Sequence, residues 1–196
     1  MPRTIDRDAR RAELAEAVWR VIVERGIGAV SVRTVAAEAG VAVGSLRHLF
    51  PTRTELLEFS AGLMVDRATR RIAALPGGGE ATEHALDVLR QLLPLSPDSR
   101  AELEVTIALI AETPALPGLS RIRDEADRAL TGVCRQLVDD LAGDTSSASR
   151  AQPERQQDAL RLHALVDGLA MHLLVRGGDP GWALDVLRAE IGRLAG

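Results

Sequence analysis

The sequence predicts an all-α chain of about nine helices. Three observations lead there. Apolar residues recur at helical spacing almost throughout, while Val and Ile never alternate with polar residues over the length of a strand. Apolar residues make up 46% of the 196 positions, enough to build a core. Gly, Pro and short polar runs then cut the periodic stretches into helix-sized pieces.

The first helix runs from Asp6 to Arg25 and stops at Gly26. Leu14, Ala17, Val18, Val21 and Ile22 share one face, with Glu13, Glu16, Arg20 and Glu24 opposite. Ser31 is suited to N-cap a short second helix ending at Gly40, and a third spans Gly44 to Leu49, before Pro51. Thr52 and Glu55 have the spacing of a capping box and open a long helix to Leu75, where Pro76-Gly77-Gly78-Gly79 forms a loop. Further helices are expected over 81–93, 97–112, 119–141, 153–176 and 180–194. Pro94, the Pro114–Gly118 stretch, the polar run Gly143–Gln152 and Gly177–Pro180 separate them. Asp179 as N-cap and Pro180 as first helical residue should start the last helix.

Net charge is −4, unevenly spread. Residues 1–53 carry nine Arg and six acids; residues 54–196 carry fifteen Arg and twenty-two acids. A mildly basic end on an acidic body suits a protein that touches DNA with one end. There is no Lys, so every cationic contact falls to Arg, whose planar fork grips phosphate or guanine with two hydrogen bonds. The lone Cys134 excludes an internal disulfide and a Cys-based zinc cage, which fits a reducing cytoplasm. MPRTIDRDAR lacks a signal-peptide core, and Leu160–Val175 is broken by Arg161, His163, Asp167 and His172. A soluble, cytoplasmic chain without a membrane partner is expected.

Residues 31–50, SVRTVAAEAGVAVGSLRHLF, hold two apolar stripes, Val32/Val35/Ala36/Ala39 and Leu46/Phe50, on either side of a turn at Gly40. Two short helices that cross steeply need a small residue at their contact and a Gly where the backbone reverses, and Ala36 and Gly40 stand at those places. With both stripes buried, Arg33, Thr34, Ser45, Arg47 and His48 form an outward cationic ridge that fits a major groove. An ordinary helical hairpin with a solvated face shares the Ala/Gly spacing. The following Phe50-Pro51-Thr52-Arg53 and capped helix start set free N–H groups and Arg53 where a phosphate docks.

Residues 24–57, ERGIGAVSVRTVAAEAGVAVGSLRHLFPTRTELL, closely resemble the DNA-binding head of the TetR/AcrR family of one-component regulators. The likeness is strongest to the branch with a Gly-Ser-Leu-Arg-His recognition helix, which includes betaine-pathway repressors; it spans Ala15–Leu57, with a weaker echo in residues 163–174. The resemblance implies that Ser31, Arg33 and Thr34 lie by the DNA backbone, or at a base edge for Arg33. It implies that Gly44 permits close approach, that Ser45, Arg47 and His48 face the groove, and that Arg53 replaces the family's usual phosphate-binding Lys. Leu49 departs from the branch, which has a hydrogen-bonding residue there. Residues 1–51 would be the DNA-binding domain and 52–196 a ligand-binding and dimerising domain.

In the helix over 153–176, Leu162, Val166, Leu169 and Leu173 form a core stripe, and Ala164, Leu165, Gly168 and His172 a second zone with small residues. That zone, with Leu187 and Ile191 of the last helix, is the expected homodimer face; a larger monomeric core is the competing reading. His163 and Asp167, four apart and near Met171, form the candidate effector site. Three readings of the pair stay open: a hydrogen-bonded core pair, a ligand-orienting pair, or metal ligands, the last lacking a third ligand at suitable spacing. No cofactor is expected. No glycine-rich phosphate loop, nucleophile elbow or zinc-protease motif is present, which argues against an enzyme. The reading is a ligand-responsive repressor that binds a near-palindromic operator as a dimer and is released by a small, largely apolar effector. The alternative is a helical protein-interaction module that does not bind DNA.

Overall fold

The computed structural model describes residues 4–143 and 152–196, with side chains from residue 10 onward. Among them are nine α-helices and no strand. The helices are α1 (Thr4–Arg25), α2 (Val32–Glu38), α3 (Val43–Leu49), α4 (Arg53–Ala73), α5 (Ala81–Arg90), α6 (Pro97–Glu112), α7 (Pro117–Ala142), α8 (Gln152–Arg176) and α9 (Gly181–Ala195), and a 3-10 turn, η1 (Ile27–Ala29), follows α1. Most of the polar run expected after Gly143, residues 144–151, lies outside the described residues. No described helix is long and apolar enough to cross a membrane.

Several boundaries shift by one to three residues from the sequence expectation, two of them for evident local reasons. Helix α5 ends at Arg90 rather than 93, because Gln91, Leu92 and Leu93 donate to carbonyls three residues back, tightening the chain ahead of Pro94. Helix α9 starts at Gly181, one residue late. Pro180 is its cap, and the Asp179 carboxylate accepts from the Gly181 N–H at 3.3 Å.

The chain divides into two compact units that interleave in sequence. The first comprises Met1–Arg67 and Ala101–Asp124. Its core joins Leu14, Val18, Val21 and Ile22 of α1 to Val35 and Ala36 of α2, Leu46 of α3 and Phe50. Leu56, Leu57 and Met64 of α4, Val105 and Leu109 of α6 and Leu119 of α7 complete it. Trp19 donates its indole N–H to the Ser60 carbonyl at 3.3 Å, and the Arg67 guanidinium stacks over its ring while pairing with Glu16.

The second unit comprises Ala68–Arg100 and Glu125–Gly196. Its core is drawn from Leu86 and Leu89 of α5, Cys134 and Leu137 of α7, Leu162, Val166 and Leu169 of α8, and Leu187, Ile191 and Leu194 of α9. Arg193 pairs with Asp158 at 2.7 Å and Glu190 with Arg161 at 3.2 Å, tying the C-terminal part of α9 to the N-terminal half of α8. Leu187 and Ile191, expected at a dimer face, are therefore interior residues of the subunit, 0% and 3% exposed. The apolar stripe of α9 turns inward against α5 and α8, leaving Val186 and Ala189 outward.

Candidate nucleic-acid interface

The stretch from Gly26 to Phe50 is shaped locally by glycine turns and a helix cap. Gly26 takes φ 78 and Gly40 φ 64, a left-handed conformation that β-carbons disfavour, so the chain can reverse at both places. Ser31 caps α2, its Oγ accepting from the Thr34 N–H at 3.1 Å while the Ser31 N–H donates to Thr34 Oγ1 at 2.9 Å. The Thr34 hydroxyl also donates to the Ala29 carbonyl at 2.7 Å. Ser31 and Thr34, both carried over as DNA-backbone contacts, are half-buried and thus employed in holding the loop.

Helix α3 is anchored by Leu46, with Phe50 directly beyond it; both are buried. On the other side Gly44, Ser45, Arg47 and His48 are exposed, as is Arg33 of α2. Among the described residues Arg33, Arg47 and His48 have no hydrogen-bond or ion-pair partner. The neighbouring cations differ: Arg20 and Arg25 both pair with Glu38, at 2.9 and 3.4 Å. The ridge thus presents unneutralised charge, and an unpaired guanidinium is free to bind phosphate or guanine.

Arg53 does not share that freedom. Its Nε donates to the Val30 carbonyl at 3.1 Å and one terminal nitrogen to the Ile27 carbonyl at 3.2 Å, while the fork pairs with Glu112 at 3.3 Å. The start of α4 is likewise occupied by its own side chains. Thr52 Oγ1 accepts from the Glu55 N–H at 3.1 Å and donates to the Glu55 carboxylate at 3.0 Å. One of the N–H groups expected to be free there, that of Glu55, is thus satisfied by the Thr52 hydroxyl, and the Glu55 carboxylate adds negative charge beside it.

In the second unit His163 Nδ1 lies 3.1 Å from the Thr131 hydroxyl, and Nε2 lies 3.4 Å from Asp167 and 4.0 Å from Asp127. His163 is mostly covered, whereas Asp167, Met171, Ala164 and His172 are exposed and Leu165 and Gly168 half-buried. Burial foremost raises the Asp167 carboxyl above its usual range; His163 opposes this and Asp127 adds to it. Among the described residues no three metal-ligating side chains come together in a way that would hold an ion.

Residues 14–58 match the model for bacterial regulatory proteins of the tetR family, and residues 81–196 match the C-terminal model of BetI-type transcriptional repressors. The chain belongs to the TetR family. The HTH-type transcriptional regulator PksA of Bacillus subtilis is 36% identical over 179 residues, covering 89% of this chain and 83% of that one. BetI of Escherichia coli K12 is 26% identical over 196 residues, covering 97% and 93%. Among solved structures, a transcriptional regulator from Rhodococcus superposes with a TM-score of 0.79 at 27% identity, over 94% of this chain and 95% of that one.

The protein is accordingly a DNA-binding transcriptional regulator with an N-terminal helix-turn-helix and a helical C-terminal region, and not an enzyme or a DNA-independent interaction module. Helix α3 also offers an exposed apolar side chain that sequence reasoning passed over. Val43, its first residue, is 38% exposed beside Gly44 and Ser45. The signal was there: an apolar residue at the start of a helix whose other apolar residues, Leu46 and Leu49, are buried and half-buried.

Proposed function

We propose that this TetR-family regulator reads a near-palindromic operator as a homodimer, placing the α3 ridge of each subunit in successive major grooves about 34–36 Å apart. Arg33, Arg47 and His48 supply charge and hydrogen bonds, Gly44 and Ser45 admit the backbone close to the bases, and Val43 meets a thymine methyl. Ser31 and Thr34 add backbone contacts through whatever hydroxyl capacity their cap leaves free. The carrying observation is that Arg33, Arg47 and His48 are exposed and unpartnered while neighbouring cations are neutralised.

The dimer face is the outward stripe of α8. Leu160 and Val175 are 53% and 75% exposed and fall, with Ala164 and Gly168, along one line of the helix; Leu165 and His172 flank it. A helix of a folded unit that leaves this much apolar surface open is suited to a second copy of itself. Residues 1–51 act as the reading head, and 52–196 as the sensing and dimerising part, working in the cytoplasm as a repressor.

Release follows from a small, largely apolar effector that binds near His163, Asp167 and Met171 and favours a conformation whose two heads no longer match the operator. A coupling of about 1–3 kcal/mol lowers operator affinity roughly 5- to 150-fold. Sequencing the duplexes retained by the protein from a random pool tests the reading. Two inverted half-sites about one helical turn apart are expected; a pool that stays unpatterned contradicts it.

A further inference from the structure

We infer that Glu112, at the far end of α6, is a positioning residue for DNA reading, and that Arg53 is the strap through which it acts rather than a phosphate contact. This rests on the DNA-binding function. Three segments distant in sequence meet at one guanidinium, all within the first compact unit. From α4, Arg53 reaches the carbonyls of Ile27 and Val30, on either side of the short turn between α1 and α2. From α6, the Glu112 carboxylate takes hydrogen bonds from both terminal nitrogens, at 3.3 and 3.4 Å. The two side chains are 34% and 27% exposed, so the pair is sheltered enough to hold a geometry.

What the strap grips explains its use. Val30 immediately precedes the Ser31 cap, and Ala29, between the two gripped carbonyls, accepts the Thr34 hydroxyl. Arg33 leaves α2 three residues beyond Val30 and depends on this turn for its direction. A planar fork can satisfy two carbonyls and a carboxylate at once, whereas an ammonium is a point donor. Without Glu112 the guanidinium loses the charge that orients it, and the turn loses the two bonds that Arg53 supplies. The α6–α7 elbow is held to the head by more than this pair. Leu109 and Leu119 lie in the same core, and Glu58 of α4 sits so close to the first turn of α7 that a β-carbon at Gly118 would overlap its carboxylate. A displacement of the end of α6 therefore reaches Ile27 and Val30 by a direct path.

Two measurements on the full-length protein test this. The first is the affinity of wild type, Glu112→Gln, Arg53→Lys, Arg53→Gln and the Glu112→Gln/Arg53→Gln pair for a selected operator duplex across a salt series. Each single variant should weaken binding about tenfold, as loss of a charge-assisted bond does. The slope of log affinity against log salt should be unchanged, and the pair should lose no more than Arg53→Gln alone. The second is hydrogen exchange without DNA. Amides of residues 27–31 should exchange faster in Glu112→Gln and Arg53→Lys, with α8 and α9 unaffected. Retention of wild-type affinity by Glu112→Gln overturns the proposal. So does a slope reduced by about one unit in Arg53→Gln but not in Arg53→Lys, the mark of a lost phosphate contact. Unaltered exchange over 27–31 overturns it independently of DNA, so its failure is told apart from a failure of the DNA-binding reading.

Discussion

Ser31 and Thr34 cap each other: each backbone N–H donates to the other's hydroxyl oxygen, at 2.9 and 3.1 Å, and the two oxygens lie 3.0 Å apart. The pair satisfies N–H groups at the first turn of α2, a helix of seven residues whose Val35 and Ala36 are buried in the core. Ser31→Ala should cost about 1 kcal/mol of unfolding free energy, as N-cap removal does. Urea denaturation checks this, and an unchanged midpoint contradicts the cap's importance.

The outward stripe of α8 and the inward stripe of α9 predict opposite phenotypes. Leu160→Arg with Val175→Arg places charge on surface that is already 53% and 75% exposed, so the subunit stays folded but loses its partner. Sedimentation should show monomers with native helicity. Leu187→Ala removes a side chain of the subunit's own core and should cost about 2–5 kcal/mol instead. A dimer that survives the two arginines contradicts the assignment.

Much of this architecture was legible in the sequence, and the exceptions share a cause. The Ser31 cap, the reversal at Gly40 and the inward Leu46 depend on residues within a turn or two, which the pattern displays. Arg53 does not, because its partner Glu112 is 59 residues away and its other partners are backbone carbonyls. Leu187 and Ile191 were misplaced because α9 has apolar residues on more than one side, and which side faces inward is decided by α5 and α8. Thr34 reads as a polar surface residue until its bond to the Ala29 carbonyl is seen.

Cys134 is fully buried, and burial foremost, with the Asp167 charge, pushes its thiol up from 9.0 to about 12. The thiolate is the reactive form, so Cys134 should resist an aromatic disulfide reagent at pH 8 and react once the protein is unfolded. The sign of the linkage follows. Between pH 9 and about 12 the unfolded chain has lost a proton that the folded one keeps, so stability present below pH 9 falls as pH rises. Unfolding curves should show a smaller loss over that range for Cys134→Ala; equal losses contradict it.

The effector should not be a quaternary ammonium held in an aromatic cage. Three of the four aromatic side chains, Trp19, Phe50 and Phe59, belong to the unit of the reading head. The fourth, Trp182, has the Arg176 guanidinium 5.4 Å from its ring centre, where a competing cation is repelled. Choline and glycine betaine should leave operator binding and melting temperature unchanged; operator release by either at micromolar concentration contradicts this.

The most direct test of α3 as the reading element is the operator affinity of Arg47→Ala/His48→Ala against wild type over a salt series. Both side chains are exposed and unpartnered, so fold and dimer should be untouched. Loss of two groove contacts predicts operator binding weaker by roughly thirtyfold or more, at about 1–3 kcal/mol each, with discrimination against random DNA largely gone. Wild-type affinity and specificity in the double variant would show that the duplex is read elsewhere.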